Sequence, residues 1–319
     1  ADLATARHAL AGSGTNTAAL GFGGFASTIS AATEAFNADV AVGAWSTGGA
    51  LNTGRNRLAG AGTQTAALAF GGFSPTTAKT ESYNGSTWTE VNDLQTARRD
   101  FGGAGTSTSA LAVGGQPTPS KAETELWNGT NWTEVADLNF GRIEVVAAGA
   151  SNTAVLAFGG NMDNVSDSTE SWNGSNWTEV NQMSRPIGAM RYAAGCGIQT
   201  AALSFGGGGP TRALTENWNG TNWTEVSDLN QGRKYLAGAG TNTAALAFGG
   251  NFPPNGETNL AEKWNGTIWT TVNSMSIARE KLAGAGASNT SSLAFGGDPG
   301  PTATEEFTDP GIITKTLTS

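Results

Sequence analysis

A pair of adjacent glycines closes each of seven similar blocks along this chain, and the distance between those pairs limits its fold more than any other feature. The pairs are Gly23-Gly24, Gly71-Gly72, Gly114-Gly115, Gly159-Gly160, Gly206-Gly207, Gly249-Gly250 and Gly296-Gly297. Successive pairs lie 48, 43, 45, 47, 43 and 47 residues apart. Each closes a block of nearly fixed text, so that residues 236–250 are matched closely by 10–24, 58–72 and 282–297. A period near 45 residues is the length of a four-stranded propeller blade, and self-similarity at that spacing outranks any local motif. The repeat predicts an all-β chain: a seven-bladed β-propeller of four-stranded antiparallel blades, forming one domain over residues 1–319.

The unit from Asp228 to Asn273 shows how a blade is written. An Ala-Gly-rich strand runs from Tyr235 to Gly240, and a turn at Thr241-Asn242-Thr243 leads to a second strand ending at Gly249-Gly250. After a variable loop, a third strand ends at Trp264, Asn265-Gly266 is expected to make a tight type I′ hairpin turn, and a fourth strand follows. Small residues suit the crowded strand nearest a propeller axis. The large ones, Trp127/Trp132, Trp172/Trp177, Trp218/Trp223, Trp264/Trp269 and Tyr83/Trp88, suit the outer strands, where radial sheets splay apart and rings must fill the gap. Stacking of sugars on these tryptophans is the alternative, but a fixed place in every unit favours packing between blades. Ring closure is open at this stage: each blade reads as four contiguous strands, with an alternative phase in which Ala1–Leu3 joins the final blade.

This layout resembles the kelch family, in which a blade shows an arginine, a small-residue strand, a Gly-Gly, a glutamate before an aromatic, and a later tryptophan. The second unit supplies Arg55, Gly71-Gly72, Glu81, Tyr83 and Trp88 in that order. Near-identical arrays of this kind are similar to ones in environmental, especially marine, phages and bacteria. The resemblance implies a kelch-like propeller and implies no particular ligand.

The chemistry of some related propellers is excluded by composition. Copper radical oxidases resembling galactose oxidase need two histidines, two tyrosines and a cysteine; this chain has one histidine, His8, and three tyrosines. A histidine-built zinc site fails for the same reason. No nucleophile elbow or phosphate loop is written in the chain. The reading is therefore of a protein that is not an enzyme, with no catalytic residues, no cofactor and no metal site. A net charge of −9 without any block of cations argues against nucleic acid or an anionic membrane as partner. No apolar run approaches a membrane span, so no membrane insertion is expected. Cys196 replaces the alanine of other repeats and reads as a small buried thiol. Ala1 in place of a methionine fits a removed leader or a piece of a longer chain.

Two positions are charged in nearly every unit. Arg7, Arg55, Arg98, Arg142, Arg233 and Arg279 share one, filled by Met190 in the fifth unit, and Glu34, Glu81, Glu125, Glu170, Glu216, Glu262 and Glu305 share the other. They suggest concentric structural rings in which bidentate pairing fixes loop geometry; an anion-binding channel mouth is the alternative. Just after the arginine the text diverges: His8, Arg57, Arg99, Asp100, Glu144, Arg191, Tyr192, Lys234, Tyr235, Glu280 and Lys281 are the candidate binding residues. They lie on the face that also carries the varying second-to-third-strand loops, and loops on a rigid scaffold are where binding usually resides. The expected function is attachment to a surface glycan or protein, outside the cell or on a virion or cell surface. A structural role among other subunits of a larger assembly is the alternative, and a polysaccharide hydrolase or lyase ranks behind both.

Overall fold

The computed structural model describes residues 11–14, 18–22, 33–37, 43–117, 122–161, 167–184, 191–209 and 212–309. The chain divides into two compact units, Ala1–Gly43 with Asp309–Ser319, and Ala44–Thr308. In the first, β1 (Ala11–Gly14), β2 (Ala18–Phe22) and β3 (Thr33–Asn37) form a three-stranded antiparallel sheet. The second is a β-propeller, and it has six blades, not the seven that counting repeats predicts.

Blade 1 comprises β5 (Ala59–Thr63), β6 (Ala66–Phe70), β7 (Thr80–Tyr83) and β8 (Trp88–Val91). Blade 2 comprises β9 (Gly102–Thr106), β10 (Ser109–Val113), β11 (Thr124–Trp127) and β12 (Trp132–Val135). Blade 3 comprises β13 (Val146–Ser151), β14 (Ala154–Phe158), β15 (Thr169–Trp172) and β16 (Trp177–Val180). Blade 4 comprises β17 (Ala194–Ile198), β18 (Ala201–Phe205), β19 (Thr215–Trp218) and β20 (Trp223–Val226). Blade 5 comprises β21 (Ala237–Gly240), β22 (Ala245–Phe248), β23 (Ala261–Trp264) and β24 (Trp269–Val272).

Blade 6 explains the lost blade. Its inner three strands are β25 (Ala283–Ser288), β26 (Ser291–Phe295) and β27 (Thr304–Thr308), and its outer strand is β4 (Ala44–Thr47), from the other end of the propeller's chain. Trp45 pairs with Phe307 and Thr47 with Glu305. The expectation of four contiguous strands per blade is thus corrected: the first repeat's Trp-bearing strand completes the last repeat's sheet. Phe36 and Trp45, nine residues apart in the first repeat, fall in different units. The alternative phase through Ala1–Leu3 lies outside the described residues.

The blades are held by contacts that recur at each seam. The second-strand phenylalanine of one blade meets the fourth-strand tryptophan of the next: Phe70 with Trp132, Phe158 with Trp223, Phe205 with Trp269, Phe248 with Trp45, and Phe295 with Trp88 across the closure, at 4.8–5.3 Å between centroids. Burying each such ring contributes roughly 1.5–3 kcal/mol. The indole N–H groups of Trp132, Trp177, Trp223 and Trp269 donate to the third-strand hydroxyls Thr80, Thr124, Thr169 and Thr215 of the preceding blade, and Trp88 donates to Thr304. Blade 5 has Ala261 at that position, and Trp45 donates instead to the Asn273 carbonyl at 2.9 Å.

The same phenylalanines explain the glycines of the inner strands. A Cβ on Gly60, Gly103, Gly195, Gly238 or Gly284 would lie 2.4–2.9 Å from the ring of Phe295, Phe70, Phe158, Phe205 or Phe248. At the remaining seam the phenylalanine is Val113 and the glycine is Ala147, a matched exchange of volume inside one cluster. The Asn-Gly loops differ from the expected type I′ turn. Four residues, 84–87 in blade 1, join Tyr83 to Trp88; Gly85 takes φ 92° while Asn84 accepts the N–H groups of Ser86 and Thr87 at its side-chain oxygen. That side-chain turn holds the asparagine itself out of the left-handed region.

Candidate functional site at the axial mouth

Each ring arginine is buried within its own blade against a glutamate. Arg55 meets Glu81 at 2.6 Å, Arg142 meets Glu170 at 3.1 Å, Arg233 meets Glu262 at 2.5 Å and Arg279 meets Glu305 at 3.0 Å; Arg98 pairs with Glu125. All five arginine side chains have no exposed surface. The guanidinium also holds carbonyls, Arg233 reaching Gln231 and Ala247, while the carboxylate receives backbone N–H groups from the chain arriving from the preceding blade, Asn230 on Glu262 at 2.7 Å. Burial pulls Arg142 down to about 10, opposed mainly by Glu170. These groups fasten the chain where it crosses from one blade to the next, and their burial leaves no face for a ligand. In blade 4 the arginine position is Met190, outside the described residues, and Glu216 accepts the N–H of Ser184 at 2.8 Å. Arg7 lies outside them too, as does the side chain of Glu34.

Two residues beyond each arginine position the backbone does something unusual. Arg57, Asp100, Glu144, Tyr192, Tyr235 and Lys281 all adopt φ between 54° and 62°. This left-handed region costs a non-glycine residue about 1–2 kcal/mol. The residue before five of them makes a bridge to the residue after the Gly-Gly pair, as Arg99 does with Gln116 and Lys234 with Asn251, and Gly208 donates to the carbonyl of Arg191. The left-handed step then turns the chain toward the axis, where five hydrogen bonds join the six residues in an arc that opens between Glu144 and Tyr192. The N–H of Arg57 donates to the Lys281 carbonyl, Asp100 to Arg57, Glu144 to Asp100, Tyr235 to Tyr192 and Lys281 to Tyr235, at 2.6–3.1 Å. The result is a backbone collar around the mouth of the channel.

The six side chains line a depression of about 110 Å³ floored by Leu58, Phe101, Val145, Ala193, Leu236 and Leu282. It is polar in three arcs. Arg57 donates to Asp100 at 3.1 Å, and Gln116 donates to the same carboxylate at 2.9 Å. Arg191 donates to Glu144 at 3.4 Å and to the Tyr192 hydroxyl at 2.8 Å. Tyr192 and Tyr235 lie 4.2 Å apart between ring centroids, tilted by 41°. Lys281 pairs with the buried Glu280, and its ammonium stands 5.1 Å from the Tyr235 ring. The Lys234 ammonium stands 5.2 Å from the Tyr235 ring and 5.8 Å from that of Tyr192. Arg99 extends outward over Phe73 at 4.7 Å and donates to Thr76. Burial, only partly offset by Arg191, pushes Glu144 up to about 7. Burial and the hydrogen bond to Tyr192 push Tyr235 up.

Ten of the candidate binding residues therefore sit at or beside one feature, and His8 lies outside the described residues. Gln116 and Phe73 open two of the varying second-to-third-strand loops, whereas the apolar floor escapes the sequence reading, although it is signalled by an apolar or small residue directly after each divergent position. Cys196 is buried on β17 with its thiol pushed up by burial, which makes it inert. A scan of the chain against protein-family models finds no match, and a search of curated proteins finds none either.

Proposed function

We propose that the chain is a kelch-like binding propeller without catalytic activity, which attaches to a glycan or protein on a surface through the axial mouth, as part of a virion or a cell exterior. The observation that carries this reading is the left-handed ring. Six non-glycine residues, differing in charge and shape, hold a costly conformation at equivalent places, and such strain persists where side chains must be presented in fixed directions. The mouth carboxylates Asp100 and Glu144 are each engaged by arginine, which suits recognition better than hydrolysis. The test is binding of the purified chain to a broad glycan panel and to cell surfaces, beside a variant with Tyr192, Lys234, Tyr235 and Lys281 changed to alanine. Saturable binding that the folded variant loses supports the mouth as the site. Absence of binding by both proteins, with circular dichroism and melting unchanged, sinks the reading and favours a structural subunit. The uniform exposed text of the Asn-Gly loops, Asn84-Gly85 through Asn265-Gly266, supports that second reading as a repeated contact face.

A further inference from the structure

The mouth is a cationic place in an acidic protein. The chain carries −9 overall, yet Arg57, Arg99, Arg191, Lys234 and Lys281 lie at or beside the collar with four carboxylates, Asp100, Glu144, Glu280 and Asp298. Four of the cations already hold a carboxylate: Arg57 and Arg99 lie at Asp100, Arg191 at Glu144 and Lys281 at Glu280. Lys234 differs. Among the described residues it has no ion-pair partner, and its ammonium stands over two aromatic rings, 5.2 Å from the centroid of Tyr235 and 5.8 Å from that of Tyr192. Those rings are braced, since Arg191 donates to the Tyr192 hydroxyl and the two rings pack 4.2 Å apart between centroids.

Resting on the reading of the mouth as a binding site, we infer that it takes the terminal unit of an anionic glycan: a sugar ring packed on Tyr192 and Tyr235 with its carboxylate or sulfate received by Lys234. Each part follows from chemistry present at the site. The C–H groups on one face of a pyranose pack on electron-rich rings, and the ring edges beyond them leave its hydroxyls to the polar rim. An ammonium without a carboxylate partner is a compact point charge for an anion, with three donors that rotate to meet it. A depression of about 110 Å³ with an apolar floor is too small to enclose a pyranose and seats only the tip of one unit, not the length of a chain, which points to an end group. Glu144 does not oppose the anion as a full charge, because burial keeps part of it protonated near neutrality.

The test pairs each acidic glycan terminus with its carboxyl-reduced or desulfated counterpart and measures binding to the intact chain by calorimetry. The inference expects at least tenfold weaker binding of the neutral counterpart, and an affinity for the acidic form that falls with rising salt. Lys234→Met, which keeps the apolar stem, should abolish the preference for the acidic form and leave weak neutral binding intact. Tyr235→Leu should weaken both forms. Equal binding of acidic and neutral termini overturns the anionic inference while leaving the mouth as a glycan site. Binding of acidic peptides in place of every glycan, with the same dependence on Lys234, overturns the saccharide. Binding of no probe, with the variants folded, removes both the inference and the reading beneath it.

Discussion

Two residues separate the most uniform position of this propeller from its most varied one. Arg55, Arg98, Arg142, Arg233 and Arg279 are identical, fully buried and paired. Arg57, Asp100, Glu144, Tyr235 and Lys281, each two places on, share nothing but a backbone angle. The contrast teaches what repetition constrains. The arginine pairs with its own blade's glutamate in every described blade where it occurs, so a change in one blade breaks a joint that the others keep. The left-handed residue contributes its backbone to the collar whatever its side chain, and the side chain is then free to differ. One position maintains the ring; the other uses it.

The largest test of that contrast removes one member of a buried pair. Arg233→Ala should destabilise the propeller by about 3–5 kcal/mol in chemical denaturation, because Glu262 would remain a charge under cover. Lys234→Ala next door should stay within about 0.5 kcal/mol of the parent, as surface substitutions do. If Arg233→Ala melted like the parent, the ring arginines would not be structural, and a ligand role for them would return.

The seams offer a sharper test. Five pair a phenylalanine with an inner-strand glycine, and the sixth pairs Val113 with Ala147. Val113→Phe should cost about 1–3 kcal/mol by overpacking against the Ala147 methyl. Adding Ala147→Gly should recover most of that, which a double-mutant cycle would register as coupling. Additive effects would mean that the two departures arose independently.

Within the mouth, Glu144 predicts a pH dependence. Its folded value is raised, so between the ordinary carboxyl value and about 7 the folded chain holds a proton that the unfolded chain has released. Stability therefore falls as pH rises through that window. Arg191, Arg57 and Asp100 face the same carboxyl and set the balance. Glu144→Gln should remove this decline and gain about 1–2 kcal/mol at pH 8, allowing for partial exposure. Unfolding curves of the two proteins that stayed parallel from pH 5 to pH 8 would refute the assignment.

The sequence displayed the blade and its seams but not the ring count. The seven block-closing Gly-Gly pairs mark seven second strands, and nothing in Trp45-Ser46-Thr47 says whether it completes the sheet before it or one that arrives more than 250 residues later. Pairing partner is a tertiary choice, made when β27 offers its edge. The Asn-Gly text misled for a related reason, since a type I′ turn and a side-chain-held loop begin with the same dipeptide. The divergent positions were visible as divergence. Their backbone angle was not, because Arg57, Tyr192 and Lys281 carry none of the glycine or asparagine that usually marks a left-handed step.

That angle supplies the smallest effect and the cleanest one. At an ordinary strand position such as Lys263, glycine is less stable than alanine by about 0.5–1 kcal/mol, because it loses more chain entropy on folding. At Arg57 the order should reverse. Both Arg57→Gly and Arg57→Ala lose the partly exposed contact with Asp100, so that loss cancels between them. What remains is the left-handed penalty of about 1–2 kcal/mol, which alanine bears and glycine does not, less glycine's entropic disadvantage. Arg57→Gly should therefore be more stable than Arg57→Ala by up to about 1 kcal/mol, with the order restored at Lys263. The same order at both sites would show that the collar relaxes once the arginine is gone, and that the strain is held by the side chains at the mouth, not by the ring of blades beneath them.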